Sequence, residues 1–196
     1  MILQGRKVIL ASASPRRLDI LRQIGIDPLV VPTEVEERKE LTPGMGADAL
    51  VTENAVRKAK AAAALAEDAV VIGSDTVVAL EGHIFGKPAD ITEAKGMLTL
   101  LSGRTHQVYT GICLIDTASE RSISGADVCQ VTFAQLSEKD IEEYVALESP
   151  LDKAGAYAIQ GRGALLVDKI DGDYYTVVGL PVSLLRRLAS VLCRLG

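Results

Sequence analysis

The tightest constraint on this chain is a junction near its start. The apolar run Val8-Ile9-Leu10-Ala11 passes without a spacer into Ser12-Ala13-Ser14-Pro15-Arg16-Arg17, and Leu18, Leu21 and Ile24 then recur at helical spacing up to Gly25. A buried strand must therefore end where a helix begins, with Ser14 as the helix cap and Pro15 as its first residue. A helix start presents unpaired backbone N–H groups and partial positive charge. Two serine hydroxyls and two guanidinium groups join them here, a combination suited to phosphate. The plain alternative is an ordinary helix start with solvated arginines.

The 196 residues are enough for one generous domain, or for two small lobes sharing a core. At 48% hydrophobic and 24% charged residues the chain has the balance of a globular protein, and without Trp and with two Phe its core must be mostly aliphatic. A formal net charge of -5 argues against a general nucleic-acid binder, so an anionic ligand must meet a local cluster of cations. Cys113, Cys129 and Cys193 are odd in number and widely spaced, which disfavours a disulfide framework or a zinc site and fits a reducing cytoplasm. Residues 1–7 turn charged too early for a signal peptide, and no apolar run reaches the roughly 18 residues of a membrane span.

Further along, residues 28–32 read as a short strand bracketed by prolines, and the charged run 34–40 reads most simply as a solvated loop. A long helix is expected over 47–66. Steps of 100° put Val51, Ala55, Lys58, Ala62 and Leu65 on one stripe, so Lys58 lies in the middle of a buried face. There its ammonium must either reach the edge or meet an anion. Residues 69–73 form the clearest buried strand, which resumes at 76–80 and turns back through Glu81-Gly82. Asp75 interrupts that apolar run, where a carboxylate is costly unless it serves a metal, a cation or a substrate proton, or caps backbone groups. Gly86-Lys87-Pro88 closes the hairpin.

A helix is expected over 91–101, long strands over 105–116 and 122–136, and a helix over 137–147. Residues 155–163 read as a glycine-punctuated strand and loop, in which Gln160 either meets a base edge or sits in a plain turn. An apolar strand over 164–170, a turn over 171–173 and a leucine-striped helix over 182–195 follow. With only His83 and His106, a histidine-rich metal centre is excluded on count.

Arg16, Arg17, Lys58 and Lys87 thus offer cations, and Glu37 and Asp75 offer carboxylates, the equipment of metal-assisted phosphate chemistry. Six ordered motifs carry a more specific resemblance. Ser12-Ala13-Ser14-Pro15-Arg16-Arg17, Gly73-Ser74-Asp75-Thr76-Val77, Gly86-Lys87-Pro88, Ser102-Gly103 with His106 and Thr110-Gly111, Ala156-Tyr157-Ala158-Ile159-Gln160-Gly161 and Val178-Gly179-Leu180-Pro181 resemble the Maf family of nucleoside triphosphate pyrophosphatases.

The resemblance implies a single domain over 1–196 with a mixed α/β fold similar to that of inosine triphosphate pyrophosphatases, in which a long central mixed sheet is flanked by helices and two lobes enclose a cleft. It implies hydrolysis between the α- and β-phosphates with a divalent cation, Mg2+ or Mn2+. Asp75 matches the proton acceptor, and Ser12, Arg17, Glu37, Lys58 and Lys87 match phosphate- and metal-handling positions, with Glu37 and Asp75 as the metal pair. Glu34 and Glu36 precede Glu37 by three places and by one in the same charged run, and Glu36 is the alternative second carboxylate. Arg16, Thr76 and Gln160 match the branch acting on dTTP and UTP rather than on 7-methyl-GTP. A homodimer and a link to septum formation are further family expectations. The competing readings are a 7-methyl-GTP or broad house-cleaning pyrophosphatase, and a regulatory module that binds nucleotides without hydrolysing them.

Overall fold

The computed structural model describes residues 2–194. In chain order its elements are β1 (Lys7–Leu10), α1 (Pro15–Gln23), β2 (Leu29–Val30), α2 (Ala47–Ala63), β3 (Ala69–Leu80), β4 (His83–Phe85), α3 (Ile91–Leu101), β5 (Thr105–Asp116), β6 (Arg121–Phe133), α4 (Glu138–Leu147), β7 (Val167–Asp171), α5 (Tyr174–Val178) and α6 (Val182–Arg194). Short 3-10 turns at Pro150–Asp152, Ala154–Ala156 and Gly161–Leu166 separate α4 from β7.

Strand β3 is buried along nearly its whole length, so its apolar residues do not alternate with polar ones. It is the axis of a seven-stranded mixed sheet ordered β2-β1-β3-β5-β6-β7, with β4 beside β3 off this path. β1 runs parallel to β2 and β3, whereas β5, β6 and β7 continue antiparallel. The mixed α/β class, with a central mixed sheet flanked by helices, is therefore as expected.

The pleat assigns the two faces. Val70 and Ile72 join the larger core with Ile20 and Leu21 of α1, Leu98 and Leu101 of α3, and Leu185 of α6. Val71 points the other way, into a cluster with Ala55, Ala59 and Ala62 of α2. Helix α2 presses unusually close on that side. A Cβ at Gly73 would lie 2.2 Å from the Ala55 carbonyl oxygen, and one at Gly111 would lie 2.4 Å from the Val51 carbonyl oxygen. Asp75 follows Gly73 by one pleat and pairs with Gly111 across β5, so it faces the same helix.

The other side of β3 is interrupted. β1 pairs with it over Ala69 to Ile72 and β4 over Val78 to Leu80, so residues 73–77 have no strand beside them on that edge. The gap opens where β1 gives way to Ser12. The register of β4, with Phe85 opposite Val78, carries the chain back toward the same gap as it reaches Lys87.

Several local readings need correction. Helix α2 ends at Ala63, not 66, and Leu65 is exposed rather than on the buried stripe. Ser14 stands at the cap position of α1 but makes no capping bond, and its own N–H donates to the Ser12 hydroxyl at 3.2 Å. Residues 155–163 form no strand: 3-10 turns at Ala154–Ala156 and Gly161–Leu166 bracket an irregular stretch over 157–160. The apolar run 164–170 is strand only from Val167, and Leu165 is exposed. β6 ends at Phe133, after a register irregularity at Thr132, rather than at 136. The turn at 171–173 is followed by a helix not expected from the sequence, α5, too short to show a periodicity. The final helix reaches Arg194, and its expected end at 195 lies outside the described residues.

Close packing at the two glycines predicts a contrast between substitutions. Gly73→Ala and Gly111→Ala should each lower unfolding stability by about 1–3 kcal/mol, since a methyl there meets helix backbone rather than a movable side chain. Gly96→Ala, in α3 with nothing within 4 Å of the added carbon, should instead stabilise by up to about 1 kcal/mol. Urea titrations of the three variants check both signs.

Candidate active site

Groups from both faces of the sheet meet at the gap beside residues 73–77. The cleft there, of about 980 Å3, is lined by Ser12, Arg16 and Arg17 from the β1–α1 junction, Asp75 and Thr76 from β3, and Lys58 from α2. Glu37, Lys87 and Gln160 line it as well. All nine residues singled out in the sequence thus converge on one cavity.

At its centre Lys58, nine-tenths buried, donates to Asp75 Oδ1 at 2.7 Å and to Glu37 Oε1 at 2.6 Å. Of the two choices open to a lysine on a buried stripe, it has taken the anion. The run 34–40 is consequently more than a solvated loop. Glu36 lines a groove of about 750 Å3 shared with Arg57, whereas Glu37 alone of the acidic run is ion-paired to Lys58.

Arg17 is held on the opposite face. Its Nε donates to the Gly179 carbonyl at 2.9 Å, its Nη1 to the Ser12 hydroxyl at 2.9 Å and its Nη2 to the Thr76 hydroxyl at 3.1 Å. Three of five guanidinium donors are spent on fixing the group, leaving two for a ligand. Burial draws its pKa below the ordinary arginine value, opposed by the charges of Asp75 and Glu37. The Gly179 carbonyl also accepts from the Ser74 hydroxyl at 3.1 Å, so the turn after α5 braces β3 and Arg17 together.

The positions matched to base preference differ in what they leave free. The Thr76 hydroxyl is engaged by Arg17 and by Thr110 Oγ1 at 2.9 Å, which leaves it inside the protein's own network. Arg16 is steered by Asp152, Nη1 to Oδ2 at 3.2 Å. Gln160 is exposed at the start of the Gly161–Leu166 turn. Lys87 is exposed, and its segment is tied down where the Gly86 carbonyl accepts from the Gly155 N–H at 3.0 Å.

Two site residues are not apparent from the sequence. Asn54 donates to Asp75 Oδ2 at 2.9 Å, and its one signal is its position a helical turn before Lys58 on the same stripe. Asp152 contacts both Arg16 and Lys153, and nothing in the sequence marks a pairing that remote. Such a cleft, with cations on three sides of a buried carboxylate, suits a polyanionic ligand.

Fold and cleft together describe an α/β protein equipped to handle phosphate-like charge. Comparison narrows this: residues 7–192 match the Maf family, described as Maf-like protein, and the chain belongs to that family. Proteins named dTTP/UTP pyrophosphatase from Bacillus cereus (strain Q1) and Bacillus anthracis are each 46% identical to it over 182 residues, which cover 93% of this chain and 93% of the relative. A solved HAM1 protein from Coxiella burnetii superposes with a TM-score of 0.49 at 18% identity, covering 96% of this chain and 99% of that one. No helix among the described residues is long and apolar enough to cross a membrane.

A buried histidine lies behind the cleft wall. His106 Nε2 and the Tyr157 hydroxyl are 2.7 Å apart, with Phe133 packed edge-on against both rings. Burial pushes the His106 pKa down to about 4, so it is neutral at pH 7. An unfolded histidine takes its proton near pH 6.5, whereas the folded one resists until about pH 4. The stabilisation is complete above pH 6.5 and is lost as pH falls through this window, a loss of about 3 kcal/mol. His106→Gln should remove that part of the acid sensitivity, seen as a flatter dependence of the urea midpoint on pH between 7 and 4.

Proposed function

We propose that this protein is a nucleoside triphosphate pyrophosphatase that hydrolyses dTTP and UTP to the monophosphate and diphosphate. The observation that carries this reading is the 46% identity, over 93% of the chain, to proteins named dTTP/UTP pyrophosphatase. The cluster of Asp75, Lys58 and Glu37 facing a cation-lined cleft supports it chemically.

In the proposed reaction, Arg16, Arg17 and Lys87 hold the phosphate chain and stabilise charge on its oxygens. Ser12 orients both Arg17 and the backbone at the start of α1. Asp75 accepts a proton from water as the water oxygen bonds to the α-phosphorus, and the bond to the bridging oxygen breaks to release diphosphate. The carboxylate retains the capacity to do so, because Asn54 and Lys58 use two of its roughly four acceptor directions. Gln160, with a donor and an acceptor at the cleft mouth, reads the pyrimidine edge, while Thr76 acts at one remove through Arg17.

Glu37 and Asp75 fit a divalent cation of the Mg2+ or Mn2+ kind, because both offer hard carboxylate oxygens and these oxygens already converge on one cationic point, the Lys58 ammonium. Such an ion, when bound by Glu37 and Asp75, would supply further neutralisation of phosphate charge. A cytoplasmic, single-domain enzyme acting as a homodimer completes the proposal, as does a connection to septum formation. These last points rest on the family resemblance and, for the compartment, on the cysteine usage.

Diphosphate release from a panel of nucleotides, with Mg2+ present, tests the reading. dTTP and UTP should lead, ahead of 7-methyl-GTP and the purine triphosphates, and Asp75→Asn should lower turnover by about 100- to 10,000-fold. Nucleotide binding without diphosphate release would favour the regulatory alternative. Wild-type rates in Asp75→Asn would remove Asp75 as the base.

A further inference from the structure

We infer that Asn54 is a positioning residue that locks two separate parts of the site, the Glu37 segment and the Asp75 carboxylate, into one register. The side chain is 2% exposed, and three bonds engage its amide. Oδ1 accepts from the Arg38 N–H at 2.9 Å, while Nδ2 donates to the Arg38 carbonyl at 3.0 Å and to Asp75 Oδ2 at 2.9 Å. Only one amide orientation satisfies these partners, since the reverse would oppose N–H to N–H and an oxygen to two acceptors. The two bonds to Arg38 imitate a strand pairing for a segment that has no strand of its own, and Arg38 immediately follows Glu37. The third bond sets the plane of the Asp75 carboxyl. Aspartate at this position would keep the acceptor for the Arg38 N–H but lose both donors. Leucine would lose all three bonds while keeping the same branched heavy-atom skeleton and with better helix propensity.

The groups facing Asp75 come from every side of the cleft: Asn54 and Lys58 from α2, Glu37 from the preceding segment, Arg17 from α1, and Lys87 from beyond β4. Among them, Asn54 bonds both to Asp75 and to the backbone of the Glu37 segment. The inference rests on the proposed hydrolytic reading, and its test separates the two.

Asn54→Leu, Asn54→Asp and Asp75→Asn are compared with the wild type by kcat and KM for dTTP and by hydrogen–deuterium exchange of peptides spanning Arg38. Asn54→Leu should lower kcat by about 10- to 100-fold, as a displacement of the order of 1 Å does, with KM changed less than about threefold and faster exchange at Arg38. Asn54→Asp should retain the Arg38 protection yet lower kcat by a similar factor, because the donor to Asp75 Oδ2 is gone and an oxygen stands in its place. A kcat within about twofold of wild type in Asn54→Leu or in Asn54→Asp, or unchanged Arg38 exchange in Asn54→Leu, would each overturn the inference. If Asp75→Asn itself kept wild-type turnover, Asp75 would lose its role as the base, and if the wild type released no diphosphate the hydrolytic reading would fail; in either case the exchange result would still decide whether Asn54 fixes the segment.

Discussion

The close seating of α2 on the sheet is the constraint on which the rest depends. Where β3 and β5 present Gly73 and Gly111, helix backbone occupies the space that side chains would otherwise fill. That approach brings Lys58 against Asp75 and excludes water from much of the pair. Two charges so enclosed cost several kcal/mol each to desolvate, and removing one alone costs about 3–5 kcal/mol because it strands the other. The pair is therefore better understood as a device held by the packing around it than as a source of stability.

A second constraint comes from the break in strand pairing beside residues 73–77. Alternate residues of a strand point to opposite faces, so Asp75 and Thr76 would ordinarily serve different compartments. Here β1 stops short and β4 begins late, and the uncovered stretch of β3 lets both faces open into one cavity. The α2 face contributes the Asp75, Lys58 and Glu37 cluster, and the other contributes Arg17 with its network of Ser12, Thr76 and the Gly179 carbonyl. Arg17 and the two carboxylates are thus held on separate scaffolds and face one another across the cleft, with Lys58 rather than Arg17 in direct pairs with Asp75 and Glu37.

Much of this is legible from residue patterns. The 12 residues of β5 and the 11 of α3 have the expected bounds because long, regular segments carry clear periodicity. Lys58 is recognisable for the same reason, as a cation on an apolar stripe. Other segments mislead. Leu165 looks like part of a strand, since an apolar run carries no mark of whether the chain stays extended or tightens into a 3-10 turn. The Thr76 hydroxyl matches a family position for base preference, yet its bonds are internal to the protein. Asn54 passes unnoticed because an amide within a helix has no distinguishing signature until its partners are known.

Residue order is sufficient for the strand-to-helix junction, the buried lysine and the misplaced aspartate, because each violates or obeys a local rule of burial and spacing. It also contains the family motifs. What it does not contain is the pairing of groups far apart in the chain: Arg17 with Gly179, Arg16 with Asp152, Asn54 with both Arg38 and Asp75. Those bonds depend on the register of β3 against its neighbours and on how deeply α2 settles onto the sheet. Both are decided by the packing of the whole chain at once, since a hydrogen bond requires its partners within about 3 Å and no local pattern sets distances at that scale.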